Sequence, residues 1–116
     1  MSKAIYIATT EPNSGKSIVS LGLMQLLLGK AARVGYFRPI IDDFEKGTMD
    51  SHIHTIITHF ELDLEFTDAY AYTRSEVVKQ KNLDRDDEIL GHIIHKYKAI
   101  EDQFDFILVE GTDFYW

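Results

Sequence analysis

Ser14, Gly15, Lys16 and Ser17 follow a short apolar run, Ile5-Tyr6-Ile7-Ala8, and precede an apolar segment from Ile18 to Leu28. A strand passing through such a loop into a helix turns successive backbone N–H groups toward one concavity. The positive end of the helix adds to their attraction for an anion. In that arrangement the Lys16 ammonium reaches terminal phosphates and the Ser17 hydroxyl ligates magnesium. The loop departs from the full pattern G-x-x-x-x-G-K-[ST], because Thr10 stands at the first glycine position, preceded by Ala8 and Thr9. Gly-Lys-Ser alone is a common tripeptide, and a strand–helix turn with a solvated lysine is the competing reading. The flanking strand and helix favour the phosphate loop.

Two more positions fall on the rim that such a loop would share. Glu110 ends the apolar run Phe-Asp-Phe-Ile-Leu-Val-Glu and is followed by Gly111 and Thr112. Ligands of a doubly wound sheet sit beyond the carboxyl ends of its strands, so a carboxylate there can hold hydrated magnesium opposite Ser17. The alternative is a solvated acid in a turn. Arg38, within Tyr36-Phe37-Arg38-Pro39, would reach the same rim and bind phosphate or a carboxylate bidentately. A structural ion pair with one of the 19 acidic side chains is an equal reading. The five histidines carry no metal spacing: His52, His54 and His59 share one segment, and His92 and His95 lie three apart. They read as solvated surface residues. No Ser/His/Asp relay is set up, and no residue is assigned a catalytic role.

The elements that must position these groups follow from periodicity. Ala4–Ala8 reads as a buried parallel strand and Gly15 to about Gly29 as a helix apolar on most sides, packed on the sheet. Arg33–Ile41 is a second strand with Pro39 near its end. Asp42–Thr48 is a polar loop, and Met49–Phe60 a helix with the stripe Ile53, Ile56, Ile57 and Phe60, Asp50 standing near its start. Leu62–Tyr72 is ambiguous, with some alternation and several aromatics. Arg74 to about Lys81 reads as a short helix, and Asp84–Gln103 as a longer one with Leu90, Ile93, Ile94, Tyr97 and Ile100 as its core stripe. Phe104–Glu110 is the third strand. Strands alternating with helices require crossovers, hence an α/β fold with a parallel sheet flanked by helices.

The 116 residues bound the chain to one domain, and 45% apolar with 27% charged residues is globular composition. A net charge of −7 argues against nucleic acid and anionic membrane surfaces as partners. The sequence has no cysteine, which excludes disulfides, thiolate metal sites and thiol nucleophiles. No signal-peptide h-region or membrane-length apolar run is present, as expected of a soluble cytoplasmic protein.

Ile7–Ser17, Gly35–Ile40, Tyr70–Arg74 and Asp105–Phe114 together resemble the N-terminal, P-loop domain of long-form bacterial phosphate acetyltransferases. That domain is similar to dethiobiotin synthetase. The resemblance covers essentially the whole chain and implies a P-loop NTPase-like fold, with ATP or a related nucleotide and magnesium as cofactors. It implies a phosphate loop of Thr10, Glu11, Asn13, Ser14, Gly15, Lys16 and Ser17, with Arg38 beside it, and magnesium held through Ser17, Asp50 and Glu110. Acetyl transfer between coenzyme A and phosphate belongs in that family to a separate C-terminal domain. Residues 1–116 are therefore expected to be a partial regulatory and assembly domain that does not transfer acetyl groups alone. The expected partners are a nucleotide or small anionic metabolite and the C-terminal acetyltransferase domain. With three strands and uncovered sheet edge, the isolated chain is expected to self-associate by swapping or edge pairing. A free-standing ATP- and magnesium-dependent ligase of the dethiobiotin synthetase type is the alternative, and a degenerate P-loop oligomerisation domain a third. Arg38 falls where the ligase has a lysine, and Thr9 adds a Cβ where its loop has glycine, so both departures weigh against ligase chemistry.

Overall fold

A computed structural model describes residues 3–7, 16–30, 33–41, 43 and 51–111; for most of residues 3–7, for 16–21 and for 51–52 the description is of backbone alone. Strand β1 (Lys3–Ile7) leads to helix α1 (Lys16–Leu28), strand β2 (Val34–Ile41) and helix α2 (Ser51–His59). A single 3-10 turn (Phe66–Asp68) then enters strand β3 (Tyr70–Thr73), followed by helices α3 (Arg74–Asn82) and α4 (Asp86–Glu101) and strand β4 (Phe106–Glu110).

The four strands form one parallel sheet in the order β1-β4-β2-β3. From β1 through β2 to β3 the chain moves across the sheet in one direction, then returns from β3 to β4 in the other. Right-handed crossovers taken in opposite directions place their helices on opposite faces. The packing follows that rule. On one face Met24 and Leu27 of α1 and Ile53 and Ile56 of α2 meet Val34, Tyr36 and Leu108. On the other, Ile100 and Phe104 with the half-buried Ile93 and Tyr97 cover Phe37, Ala71, Ile107 and Val109. Val77 of α3 and Ile89 of α4 close over Ile40. Each fully buried side chain of this size contributes about 1.5–3 kcal/mol relative to exposure.

Several sequence expectations change. The ambiguous stretch ends in a fourth strand: β3 is four residues long, half-buried at three of them, and sits at the sheet edge, where alternation is weak. In α4 the core is reached by Ile89, Ile93, Tyr97 and Ile100, whereas Leu90 and Ile94 are exposed at 59% and 45%. The apolar arc of α4 is wider than the sheet can cover. Helix α1, expected to be packed on most sides, likewise leaves Leu26 in solvent.

The expected helix from Asp84 begins two residues later, for a backbone reason. Asp84 has φ 54°, outside the helical region. It terminates α3 instead: Arg85 N–H donates to Gln80 O at 3.0 Å and Asp84 N–H to Lys81 O at 3.0 Å. This is a Schellman closure with aspartate where glycine is usual. Helix α2 ends in the same way at Glu61 (φ 51°), with Leu62 N–H on Ile57 O at 3.0 Å and Glu61 N–H on Thr58 O at 3.3 Å.

In β2, glycine is required at Gly35, where an added Cβ would lie 2.7 Å from Cδ2 of the Phe104 ring. Pro39 is tolerated for a related geometric reason. Arg38 N–H donates toward β3, to Ala69 O at 2.7 Å. Alternation turns the next nitrogen toward β4, beyond the last pair, Phe37 with Val109, where no ladder bond is interrupted.

Candidate anion-binding rim at the carboxyl edge of the sheet

The parallel sheet brings its strand ends to one edge. Ile7 of β1 is in register with Glu110 of β4, and α1 starts at Lys16 after the connection that follows β1. Tyr36 and Arg38 are two apart on β2, so they lie on the same face. Tyr36 pairs with Leu108, two residues before Glu110, which aligns the trio.

Glu110 is 1% exposed, a buried carboxylate at the end of the central strand β4. The Tyr36 hydroxyl, itself fully buried, donates to Glu110 Oε2 at 2.8 Å. Arg38 Nε lies 3.7 Å from Glu110 Oε1, the guanidinium side chain being 13% exposed. A buried charge persists only when it is paired and hydrogen-bonded, and both conditions are met here. The solvated-turn reading of Glu110 is thereby excluded, and Arg38 makes the structural ion pair that was one of its two readings.

A second polar group occupies the same edge near β3. Asp43 Oδ1 accepts from Ser75 N–H at 3.1 Å, and Oδ2 accepts from the Ser75 hydroxyl. These bonds hold the Asp43 carboxyl below its ordinary value, Arg74 adding a smaller contribution of the same sign. They cap the first turn of α3, which Thr73 and Glu76 also close reciprocally: Thr73 N–H donates to Glu76 Oε1 at 2.8 Å and Glu76 N–H to Thr73 Oγ1 at 3.4 Å. An open groove of about 550 Å³ between Asp43, Arg74, Ser75, Val78, Lys79, Asn82 and Leu83 borders this cap and does not include Glu110 or Arg38.

Of the residues singled out in the sequence, the structure brings Arg38 and Glu110 together. Lys16 and Ser17 open α1, whose backbone alone is described there. Thr10, Glu11, Asn13, Ser14, Gly15 and Asp50 lie outside the described residues. Sequence reasoning missed Tyr36 as a partner of Glu110; its i, i+2 relation to Arg38 on a strand was the available signal. The Asp43–Ser75 contact spans 32 residues and had no local signal. Among the histidines, His54, His59 and His95 are exposed, but His92 is half-buried, with Nε2 3.2 Å from Ala71 O and its ring 4.7 Å from that of Tyr72. Its role is packing. Among the described residues no three His, Asp or Glu side chains cluster as a metal site, and no helix is long and apolar enough to cross a membrane.

Comparison with known proteins matches this architecture. The chain is 45% identical over 114 residues to a phosphate acetyltransferase of Nitratidesulfovibrio vulgaris and 40% identical over 114 residues to one of Synechocystis sp.. Each match covers 98% of this chain and 16% of the relative, so the chain spans about one sixth of the length of these relatives. An ATP-dependent dethiobiotin synthetase BioD of Clostridium kluyveri is 25% identical over 118 residues, covering 97% of this chain and 49% of that protein. A family model described as an AAA domain matches residues 3–116. With that match over nearly its whole length, the chain belongs to this AAA domain family of P-loop, dethiobiotin synthetase-like folds.

Proposed function

We propose that the chain is a regulatory and assembly module of a phosphate acetyltransferase, binding a nucleotide or small anionic metabolite at the carboxyl edge of its sheet. On this reading, acetyl transfer is carried by another domain of the full protein, which works in the cytoplasm. The observation that carries the proposal is the buried Glu110 carboxylate, fixed by Tyr36 and Arg38 on the rim beyond β1 where α1 begins. The extent of likeness to phosphate acetyltransferases supports it as well.

The described residues fit a magnesium nucleotide in part. Magnesium keeps most of its waters and needs only one or two protein oxygens, so one carboxylate with the Ser17 hydroxyl would serve, and Asp50 would add a further acidic oxygen. Thr10, Glu11, Asn13, Ser14, Gly15 and Lys16 would cradle the phosphates, with the Arg38 guanidinium adding charge on the β2 side. Bound magnesium would neutralise the terminal phosphates. Glu110 would hold the ion, and Tyr36 orients that carboxylate.

A second reading, the degenerate module that keeps the fold for assembly, is favoured by the Arg38–Glu110 pair. A guanidinium 3.7 Å from the carboxylate already offsets the charge that would draw a cation. Thermal unfolding separates the two. A ligand that binds only the folded chain raises Tm with concentration, adding about 2.7 kcal/mol of stability at a hundredfold excess over Kd. Magnesium ATP raising Tm more than ATP alone, with the increment lost in Glu110→Gln, supports the first reading. An unchanged Tm with ATP, ADP and inorganic phosphate supports the second.

A further inference from the structure

The two oxygens of the Glu110 carboxylate are held in different ways. Oε2 accepts a hydrogen bond of 2.8 Å from the Tyr36 hydroxyl. Oε1 faces Arg38 Nε at 3.7 Å, beyond hydrogen-bond length, so this contact is one of charge alone. Nor is it the two-bonded fork by which a guanidinium clamps a carboxylate most tightly. The phenol therefore fixes the carboxylate in place, and Oε1 is the oxygen that can exchange one cation for another. Exposure sets the order in which a solute meets the pair. The Arg38 side chain is 13% exposed and that of Glu110 0%, so a ligand arriving at the rim touches the guanidinium first.

We infer that Arg38 guards Glu110: its guanidinium keeps divalent cations off the carboxylate until an oxyanion such as phosphate engages it. The inference rests on the reading of this edge as an anion site and adds to it an order of binding, the cation entering with the anion or after it. A divalent ion on Oε1 would lie about 2.1 Å from that oxygen, and Arg38 Nε lies 3.7 Å from the same atom. The two cations would then be no more than about 6 Å apart, inside the distance over which salt screens charges. Paired with Arg38, Glu110 also offers no net negative charge to draw the ion in.

An oxyanion removes both obstacles. Its charge offsets that of the guanidinium, and its bidentate bonds to the fork outcompete a charge contact at 3.7 Å. Tyr36 holds the other carboxylate oxygen, so its bond survives the exchange. Arg38 thus serves as structural partner without the anion and as ligand contact with it. Linkage makes the effect reciprocal: anion and cation raise each other's affinity by one factor, on the order of tenfold.

Manganese, followed by electron paramagnetic resonance of the free ion, stands in for magnesium in the test. Sulfate is the oxyanion, and chloride holds the ionic strength constant. In the wild-type chain sulfate tightens manganese binding about tenfold. In Arg38→Met manganese binds about tenfold more tightly than in the wild type without any sulfate, and sulfate adds nothing. Arg38→Gln repeats the comparison with a polar side chain, and far-UV circular dichroism is the folding control for both. Adding Glu110→Gln to either variant abolishes the gain. Tyr36→Phe removes a donor and no charge, so it leaves manganese binding within about threefold of the wild type. Equal manganese affinity in the wild type and the Arg38 variants overturns the proposal. So does a gain that survives Glu110→Gln, a comparable gain in Tyr36→Phe, or wild-type binding indifferent to sulfate. The nucleotide reading fails separately. Magnesium ATP binding to the wild type, with equal manganese affinities, sinks the guarding role and leaves that reading standing. The sulfate effect and the Arg38→Met gain, without binding of magnesium ATP, do the reverse.

Discussion

Tyr36→Phe removes the hydroxyl that donates to Glu110 while keeping the ring that packs between β2 and the α1/α2 layer. The bond runs from a fully buried phenol to a carboxylate 1% exposed, at 2.8 Å. Bonds to charged groups contribute about 1.5–3 kcal/mol, and a carboxylate 1% exposed has little solvent with which to replace the lost donor. Arg38 stays at 3.7 Å from the other oxygen, which limits the loss. The expected destabilisation is about 2 kcal/mol, or roughly 6–12 °C in Tm for a domain of this size. Urea unfolding followed by circular dichroism measures it under two-state conditions. The decisive comparison is the same substitution made in Glu110→Leu. There the phenol has lost its charged acceptor, so removing the hydroxyl changes stability by less than about 0.5 kcal/mol or stabilises the chain. The coupling between the two positions should therefore be about 1.5–2 kcal/mol. An equal loss in both backgrounds would mean that Tyr36 acts through packing alone and would refute the reasoning.

Gly35→Ala places a Cβ 2.7 Å from the buried Phe104 ring and should destabilise by about 1–3 kcal/mol in urea unfolding. Adding Phe104→Leu should recover part of that loss, whereas an additive double variant would contradict the contact. The Asp43 carboxyl is held below its ordinary value by Ser75, so its contribution is present above that value and lost as pH falls through the lower folded-state pKa. The Tm difference between wild type and Asp43→Asn should accordingly be largest near neutral pH and shrink below about pH 4; a difference that is flat from pH 7 to 3 contradicts the linkage. Glu61→Gly relieves a left-handed backbone at φ 51° and should stabilise by about 0.5–1 kcal/mol, read as a higher urea midpoint. A lower midpoint would show that the glutamate side chain outweighs the strain.

The alternation of strands and helices was legible because each strand core is a continuous apolar run and each long helix shows a 3.6-residue stripe. The acid ending β4 was equally readable, since it depends on residues adjacent in sequence. What was hidden depends on distance or on breadth. β3 has four residues at an edge, too few for alternation to register. The apolar arc of α4 offers more positions than one face can bury, so periodicity alone placed Leu90 and Ile94 in the core. The boundaries at Glu61 and Asp84 escaped because left-handed closures are expected at glycine. Tyr36 escaped because a tyrosine in an apolar strand reads as packing until its hydroxyl is seen against Glu110.

Calorimetric titration of magnesium ATP into wild type and Lys16→Ala tests whether the carboxyl edge of the sheet binds a nucleotide. One saturable site is expected in the wild type, lost in Lys16→Ala and weakened about tenfold or more in Glu110→Gln. Heat that is absent in the wild type with magnesium ATP, ADP and inorganic phosphate alike, or that persists unchanged in Lys16→Ala, would contradict an anion-binding rim built on these residues.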